Sequence, residues 1–423
     1  MLRGECSWVV SAQRVSRSRS RQRNLQKFQR TGRASAWHAA LARNPELGTP
    51  PLPPISNLNM ASSNEIPNLR TLLGQGRGGP SRGRGRGRGG LGSSSEERAQ
   101  VLDNAVKATD QDAAGSRVSC VELGYLHDPY AKLFATQQTA RKLPLLNRGT
   151  YVRTSAIDLL VAKFLMTYPS SAKQIISLGA GTDTRFFRLL DLYPQTRLVY
   201  HEIDFPTNTL AKIAAIQRYP LLHRKLLHMP STSASYHSDT YNIHALDLRS
   251  LASSSEETPL PPIPNLDPII PTLILSEMCL VYLQPSTVQS IVSSLLTHYL
   301  RPATPTSLIL YEPILPQDAF GRTMISNLQT RNIHLHTLTA YPELGDQRAR
   351  LQDYGLTGGA KVADTNTIWR RWINDEEKER IAGLEFLDEL EELEMLLRHY
   401  CVAWGWRDGE SDVFSKAWAH VEE

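Results

Sequence analysis

From about residue 116 the chain falls into short apolar runs that alternate with stretches of helical spacing. Gln174–Leu178 reads as a buried strand ending in Gly179-Ala180-Gly181. Asp183–Leu190 follows it, with Phe186, Phe187, Leu189 and Leu190 at helical spacing. Leu198–Asp204 is a second strand and Pro206–Tyr219 a second helix, with proline in the first turn, where no N–H is needed. Tyr241–Leu246 gives a third, weaker strand, Thr272–Ser276 a fourth, Pro285–Leu300 a helix and Ser307–Tyr311 a fifth strand. The runs lack period-two alternation, so both faces of the sheet are covered. Strand alternating with helix then predicts an α/β, doubly wound fold on a parallel sheet. Ser253–Pro271, rich in proline, reads as a surface insertion between the third and fourth strands. Upstream, Leu145–Leu165 becomes an amphipathic helix through Ile157, Leu160, Val161 and Phe164. Asp375-Glu376-Glu377 starts a helix whose dipole favours carboxylates. Glu385–Glu394 carries Phe386, Leu387, Leu390 and Leu393 on one face, with its acids solvated.

Composition changes the picture at the N-terminus. The 423 residues carry a net charge of +5. Residues 1–95, however, hold 16 Lys and Arg against Glu5, Glu46 and Glu65, while the rest holds 31 basic and 39 acidic residues. The basic character belongs to the tail, so nucleic-acid binding is not expected of the folded part. Residues 1–59 form a basic extension too poor in apolar residues to build a core. A mitochondrial transit peptide, a basic nuclear or RNA-binding arm, and translation from an upstream start with Met60 as the true beginning all fit it; the last is favoured. Residues 60–115 read as a low-complexity linker whose Arg-Gly run, Arg82 to Gly90, is read first as a solvated flexible tail, with weak RNA contact as the alternative. Residues 116–423 form the globular domain. No window is apolar enough to span a membrane. Cys6, Cys120, Cys279 and Cys401 lie far apart, which excludes a disulfide framework and a zinc ribbon. The twelve histidines show no metal spacing, and no metal is expected.

In an open parallel sheet the ligand sits beyond the carboxyl ends of the strands, where the strand order reverses. Gly179, Gly181 and Asp183 follow the first strand, Asp204 and Phe205 the second, Asp247 and Leu248 the third, and Glu277 and Tyr282 the fourth. Thr184 replaces the third glycine of a dinucleotide fingerprint, which counts against NAD. Asp204, 25 residues after Gly179, is placed to accept the hydroxyls of a ribose. Together these features point to an adenosine ligand without phosphate, S-adenosylmethionine. A plain tight turn and a capping acid explain Gly179, Gly181 and Asp204 equally well when each is taken alone. From periodicity alone Arg148 and Arg153 are solvated residues on a helix face, and His127 is a packed loop residue.

Taken together, the stretches Gly124–Tyr130, Asn147–Arg153, Leu178–Thr184, Glu202–Pro206, Asp247–Arg249, Ser276–Tyr282, Glu385–Glu389 and Arg398–Cys401 resemble the leucine carboxyl methyltransferases. The resemblance covers about residues 116–406. It implies a class I S-adenosylmethionine-dependent methyltransferase, Rossmann-like and mostly parallel, with N-terminal helical additions and a C-terminal helix-strand cap. It implies methylation of the C-terminal leucine of the protein phosphatase 2A catalytic subunit by a cytoplasmic monomer, with nuclear or mitochondrial targeting left open. Arg117 and Arg153 would hold the methionine carboxylate or line the acceptor site; the family often has lysine where Arg117 stands. Gly179 and Gly181 would let the backbone pass beside the cofactor, Asp204 would bind the ribose, and Asp247 with Leu248 would frame the adenine. Glu277 would face the methionine amino group, and Tyr282 with Arg153 would orient the acceptor carboxylate. Surface loops such as Ser253–Pro271 and Gly321–Arg350 would serve docking. Three alternatives stand beside this: a transfer-RNA wybutosine methyltransferase, which normally carries a propeller not found here, a methyltransferase of small carboxylates, and an RNA-associated scaffold that works through the Arg-Gly tail.

Overall fold

The computed structural model describes residues 95–136, 140–226, 233–252 and 259–423. The expectations for residues 1–59 and for the Arg-Gly run lie outside these residues. Trp372–Glu379 group apart from Ile66–Arg371 and Arg380–Glu423, and the latter unit carries the sheet and the site.

Among the described residues the strands form one eight-stranded sheet in the order β3-β4-β2-β1-β5-β6-β8-β7. They are β1 (Lys173–Leu178), β2 (Leu198–Asp204), β3 (Tyr236–His237), β4 (Tyr241–Ala245), β5 (Thr272–Glu277), β6 (Thr306–Pro313), β7 (Gly359–Asp364) and β8 (Tyr400–Arg407). The pairs from β4 through β6 are parallel, and β3, β7 and β8 join antiparallel. The order reverses at β1, between β2 and β5. Leu178 is level with Ile203 on one side and Ser276 on the other, so the three strands end together. The central strands are buried along almost their whole length, which accounts for apolar runs without period-two alternation.

The helices that matter for the site are α1 (Ser95–Glu122), α2 (Pro144–Met166), α3 (Arg185–Leu192), α4 (Pro206–Arg218), α5 (Pro285–Ser294) and α6 (Ala319–Gln329). Prolines occupy the first turns of α2, α4 and α5. The expected helix Pro285–Leu300 is α-helical only to Ser294 and continues as a π turn over Leu295–Tyr299.

Four expectations need correction. The domain boundary at residue 116 falls inside α1, whose last turns bury Ala114, Val118 and Cys120, so the fold includes the chain from Ser95. The C-terminal strands are no cap: β8 pairs with β6 along its full length and extends the main sheet. The proline-rich insertion is only partly a surface feature, since Ile263 is buried in the core with Leu260 and Leu266 packed beside it. Gly321–Arg350 is largely helical rather than a loop.

A pH dependence follows from the left half of the sheet. His201 on β2 and His244 on β4 face each other with Nδ1 and Nε2 3.0 Å apart, and burial pushes both down to about 3. Held neutral in the fold and free to protonate when unfolded, each contributes stability above its ordinary pKa that is lost as pH falls. Glu202 works in the opposite sense: burial pushes it up to about 7 despite the Lys212 ammonium 2.5 Å away. It therefore favours the fold as pH falls through the same window. Two protons against one leave a net slope of about 1.4 kcal/mol per pH unit. Denaturant unfolding at pH 6.5 and pH 5 is expected to show a loss of about 2 kcal/mol. A flat profile, or one unchanged by His244→Gln, would remove the histidines as its cause.

Candidate functional site

The turn after β1 is built for close approach. Gly179 has φ +63° and Gly181 φ +46°, values L side chains rarely adopt. A Cβ on Gly179 would run into the thiol of Cys279, and one on Gly181 into the carboxylate of Asp110. The Gly179 amide donates to Ile203 O at 2.8 Å and the Gly181 amide to Asp204 Oδ2 at 2.7 Å. The Asp204 carboxylate also accepts from the Phe205 amide at 2.6 Å and from Asn208 at 3.1 Å. Burial raises its pKa, and these amides restrain the rise. Asp204 is therefore both the brace of the glycine turn and a polar edge of the cavity; the capping role and the ligand role coexist in one side chain.

At the end of β5 the chain turns through Met278, a non-glycine residue at φ +53° whose amide donates to Tyr311 O. Such a conformation costs about 1–3 kcal/mol and persists where the surroundings impose it. It sets Glu277 on one side of the turn and Cys279 against Gly179. Glu277 accepts from Arg153 Nε at 2.5 Å and from Arg185 Nη2 at 3.3 Å. Burial would raise its pKa, but Arg153 and Arg185 hold it below the ordinary value. Arg153 also lies over the Tyr311 ring, 4.8 Å from its centroid. Its two Nη groups have no recorded partner among the described residues. Tyr282 stands beside it, its hydroxyl pushed up to about 12 by burial.

The residues singled out at the strand ends, with Arg117 and Arg153, all line one cavity of about 550 Å3. Arg148 does not line it: buried rather than solvated, it donates to Glu385 O at 3.2 Å. Arg153 is likewise largely buried, against the reading from periodicity. Glu385 is no solvated acid either, since its carboxylate takes Arg141 and Asn147, while Phe386 beside it is 82% exposed. His127 is exposed.

Sequence reasoning missed the wall that α1 supplies. Asp110 accepts from Thr182 N at 2.6 Å and from Thr182 Oγ1 at 2.9 Å. Asp103 takes two hydrogen bonds from Arg249, which also grips Asp247. Asp112 pairs with Arg331. One face of α1, with Leu102, Val106, Thr109 and Ala113, closes the cavity. Leu102 and Val106, four apart, were the available signal; the polar residues around them hid it. Arg117 on the same helix has an ion-pair distance of 3.6 Å to Asp128, and its buried Nη1 makes no hydrogen bond among the described residues. Among the described residues no group of His, Cys, Asp and Glu is arranged to hold a metal, and no helix is long and apolar enough to cross a membrane.

The residues fit S-adenosylmethionine: two glycines whose missing Cβ atoms leave a cradle, an acid at the end of β2, and an orphaned guanidinium N–H in the cavity wall. The family model for leucine carboxyl methyltransferase matches residues 105–296. Leucine carboxyl methyltransferase 1 of Emericella nidulans is 50% identical over 373 residues, covering 83% of this chain and 96% of that protein. The protein of the same name from Schizosaccharomyces pombe is 38% identical over 70% of this chain and 93% of its own length. That from Rattus norvegicus is 35% identical over 75% of this chain and 94% of its own. Among solved structures, the plantazolicin methyltransferase BpumL in complex with SAH covers 74% of this chain, and all of its own, at 13% identity and a TM-score of 0.34, too distant to bear on the site. With full-length relatives at this identity, the chain belongs to the leucine carboxyl methyltransferase family of S-adenosylmethionine-dependent enzymes.

Proposed function

We propose that this chain methylates the α-carboxylate of a C-terminal leucine, and that the acceptor protein is the catalytic subunit of protein phosphatase 2A, met in the cytoplasm. The observation that carries the carboxylate is Arg153, which lines the cavity of the glycine turn with its Nε given to Glu277 and no hydrogen bond from its Nη groups among the described residues, and Arg117 lines the same cavity. The acceptor protein follows from the family.

The sparse chemistry of the site agrees with such an acceptor. An α-carboxyl group titrates at about 3.3–3.7, so it arrives already ionised and needs no general base. S-adenosylmethionine, when bound, supplies an activated methyl group. What the chain itself contributes is position and dryness. Arg153, fixed by Glu277 through Nε, presents its remaining fork to a carboxylate. Tyr282, kept protonated by burial, has a hydroxyl to donate. The face of α1 covers one side of the cavity and reduces its contact with water, which strengthens each of these contacts. Esterification removes the acceptor's charge, so a guanidinium clamp favours substrate over product and assists release.

The test is transfer of radiolabelled methyl to purified phosphatase 2A core enzyme. Label that is base-labile and disappears when the terminal leucine is deleted is expected. Label independent of that leucine, or no label from a protein that the cofactor still protects against heat, would overturn the reading.

A further inference from the structure

Neither Tyr311 nor Tyr400 lines the cavity, yet both stand behind Arg153. Glu277 on β5 and Tyr311 on β6 are direct partners in the sheet, so their side chains leave it on the same face. On β8, Tyr400 lies opposite Pro313, two residues along from Tyr311. That register puts Tyr400 on the same face, as the diagonal neighbour of Tyr311. The two rings are nearly parallel, with 5° between their planes and 5.6 Å between their centroids, an offset stack. Arg153 comes onto this face from α2, its guanidinium carbon 4.8 Å from the Tyr311 centroid and its Nε on Glu277.

The stack is braced from behind. Tyr400 donates its hydroxyl to Sγ of Met324, a buried residue of α6, at 3.6 Å. The adjacent His399 is buried too, with Nδ1 2.6 Å from Met395 O and Nε2 2.9 Å from both carboxylate oxygens of Asp318. Asp318 caps the start of α6 through the Gly321 amide. The first residue of β8 and the one before it are thus both tied to α6.

A guanidinium held by one hydrogen bond through Nε can still rock about that contact, whereas a bidentate carboxylate needs two N–H groups in one plane. A ring face under the cation removes that freedom and, away from water, attracts the charge. We infer that Tyr311 and Tyr400 are positioning residues for the methyl transfer: Tyr311 sets the plane of the Arg153 fork, and Tyr400, braced on α6, keeps Tyr311 in place. The stretch Arg398–Cys401 then serves the acceptor side of the site without touching either ligand. The inference rests on the carboxylate-methylation reading above and adds the residues that aim its guanidinium.

The experiment compares kcat/KM on leucine-ended phosphatase 2A core enzyme for the unaltered chain, Tyr311→Leu, Tyr311→Phe, Arg153→Ala, and Tyr311→Leu combined with Arg153→Ala. Tyr311→Leu is expected to lower kcat/KM about 10–30-fold, the worth of a desolvated cation over a ring, and to leave the Kd for S-adenosylmethionine unchanged within about twofold. Tyr311→Phe keeps the ring and is expected to recover all but about threefold of that loss. Without Arg153 the same Tyr311→Leu change is expected to cost less than about threefold, because the group it aims is gone. A loss of equal size with and without Arg153 would mean that Tyr311 acts through packing, and a Tyr311→Phe as poor as Tyr311→Leu that it acts through its hydroxyl; either overturns the inference. Full activity in Tyr311→Leu overturns it as well, while leaving the carboxyl methylation intact. Failure of the unaltered chain to methylate this acceptor defeats that reading and the inference with it. Where Tyr311→Leu does not fold, Tyr400→Leu, at a half-buried position, decides: a loss of about threefold that disappears without Arg153 is expected, and one that persists overturns the inference.

Discussion

Arg153→Ala is expected to lower kcat/KM for the leucine-ended acceptor by about 10²–10³, the loss typical of removing a preorganised donor from a water-excluded site. Three interactions go at once: the fork offered to the carboxylate, the contact with the Tyr311 face, and the ion pair with Glu277. Burial opposes the Arg153 charge, yet Glu277 beside it raises its pKa, so the guanidinium is fully charged at any working pH. Glu277 does not become an orphan in the variant, because Arg185 Nη2 remains 3.3 Å away. Cofactor affinity and thermal stability should therefore change much less than turnover, and that split is the signature. Arg153→Lys is expected to fall between: it keeps a charge but cannot bond Glu277 and a second carboxylate with one planar fork. Kinetics at saturating cofactor, with Kd from calorimetry, check both variants. A turnover loss of less than about threefold in a folded Arg153→Ala protein would remove Arg153 from the acceptor clamp.

Legibility followed the local character of each signal. β2 was read to the residue at both ends, because Leu198–Asp204 is a β-rich stretch, apolar at Leu198, Val199, Tyr200 and Ile203, closed by an acid and a proline-started helix. The strand-end residues were found because a parallel sheet with level ends brings them together whatever the rest of the chain does. β7 escaped because Gly359–Asp364 has only two buried residues and exists by pairing with β8, a contact that closes across some forty residues of sequence. The carboxylates of α1 escaped for a related reason. Asp103, Asp110 and Asp112 lie in a polar helix that is mostly exposed before Ala114, and their partners Arg249, Thr182 and Arg331 are 72 to 219 residues away. Glu385 sits in an acidic run that patterning assigns to solvent, and only its partners Arg141 and Asn147 bury it. What sequence periodicity reports is which face an element buries; it does not report which charges a distant element will neutralise.

Arg185 tests that distinction most severely, and Arg185→Leu is expected to lower the free energy of unfolding at pH 7 by about 3–5 kcal/mol. The side chain is fully buried and meets three carboxylates: Asp158 of α2 at 3.1 Å, Asp183 of the glycine turn, and Glu277 at the end of β5 at 3.3 Å. Its removal leaves these acids unequally provided. Asp158 keeps Arg188 at 2.5 Å, and Glu277 keeps Arg153. Among the described residues Asp183 keeps no salt bridge of its own; Lys212 donates to its carbonyl, not to its carboxylate. In the intact protein burial works against the Asp183 charge, but Arg185, Arg117, Arg188 and Lys212 together outweigh it and hold the carboxyl well below the usual range. Asp183 then contributes stability above its unfolded pKa that is lost as pH falls. In the variant the largest of these cations is gone, so the carboxyl titrates higher and its protonation costs the fold less, although Arg117, Arg188 and Lys212 remain. The difference between the two proteins should accordingly shrink as pH is lowered from 7 toward 4. Adding Asp183→Asn removes the stranded charge directly and is expected to recover at least about 1 kcal/mol, a coupling that independent sites would not show. Denaturant unfolding of the single and double variants at pH 7 and pH 4.5 measures both effects. A double variant no more stable than Arg185→Leu alone, with a pH-independent loss, would mean that Arg185 acts through packing. The glycine turn would then owe its position to the Asp204 and Asp110 braces rather than to the buried charge cluster.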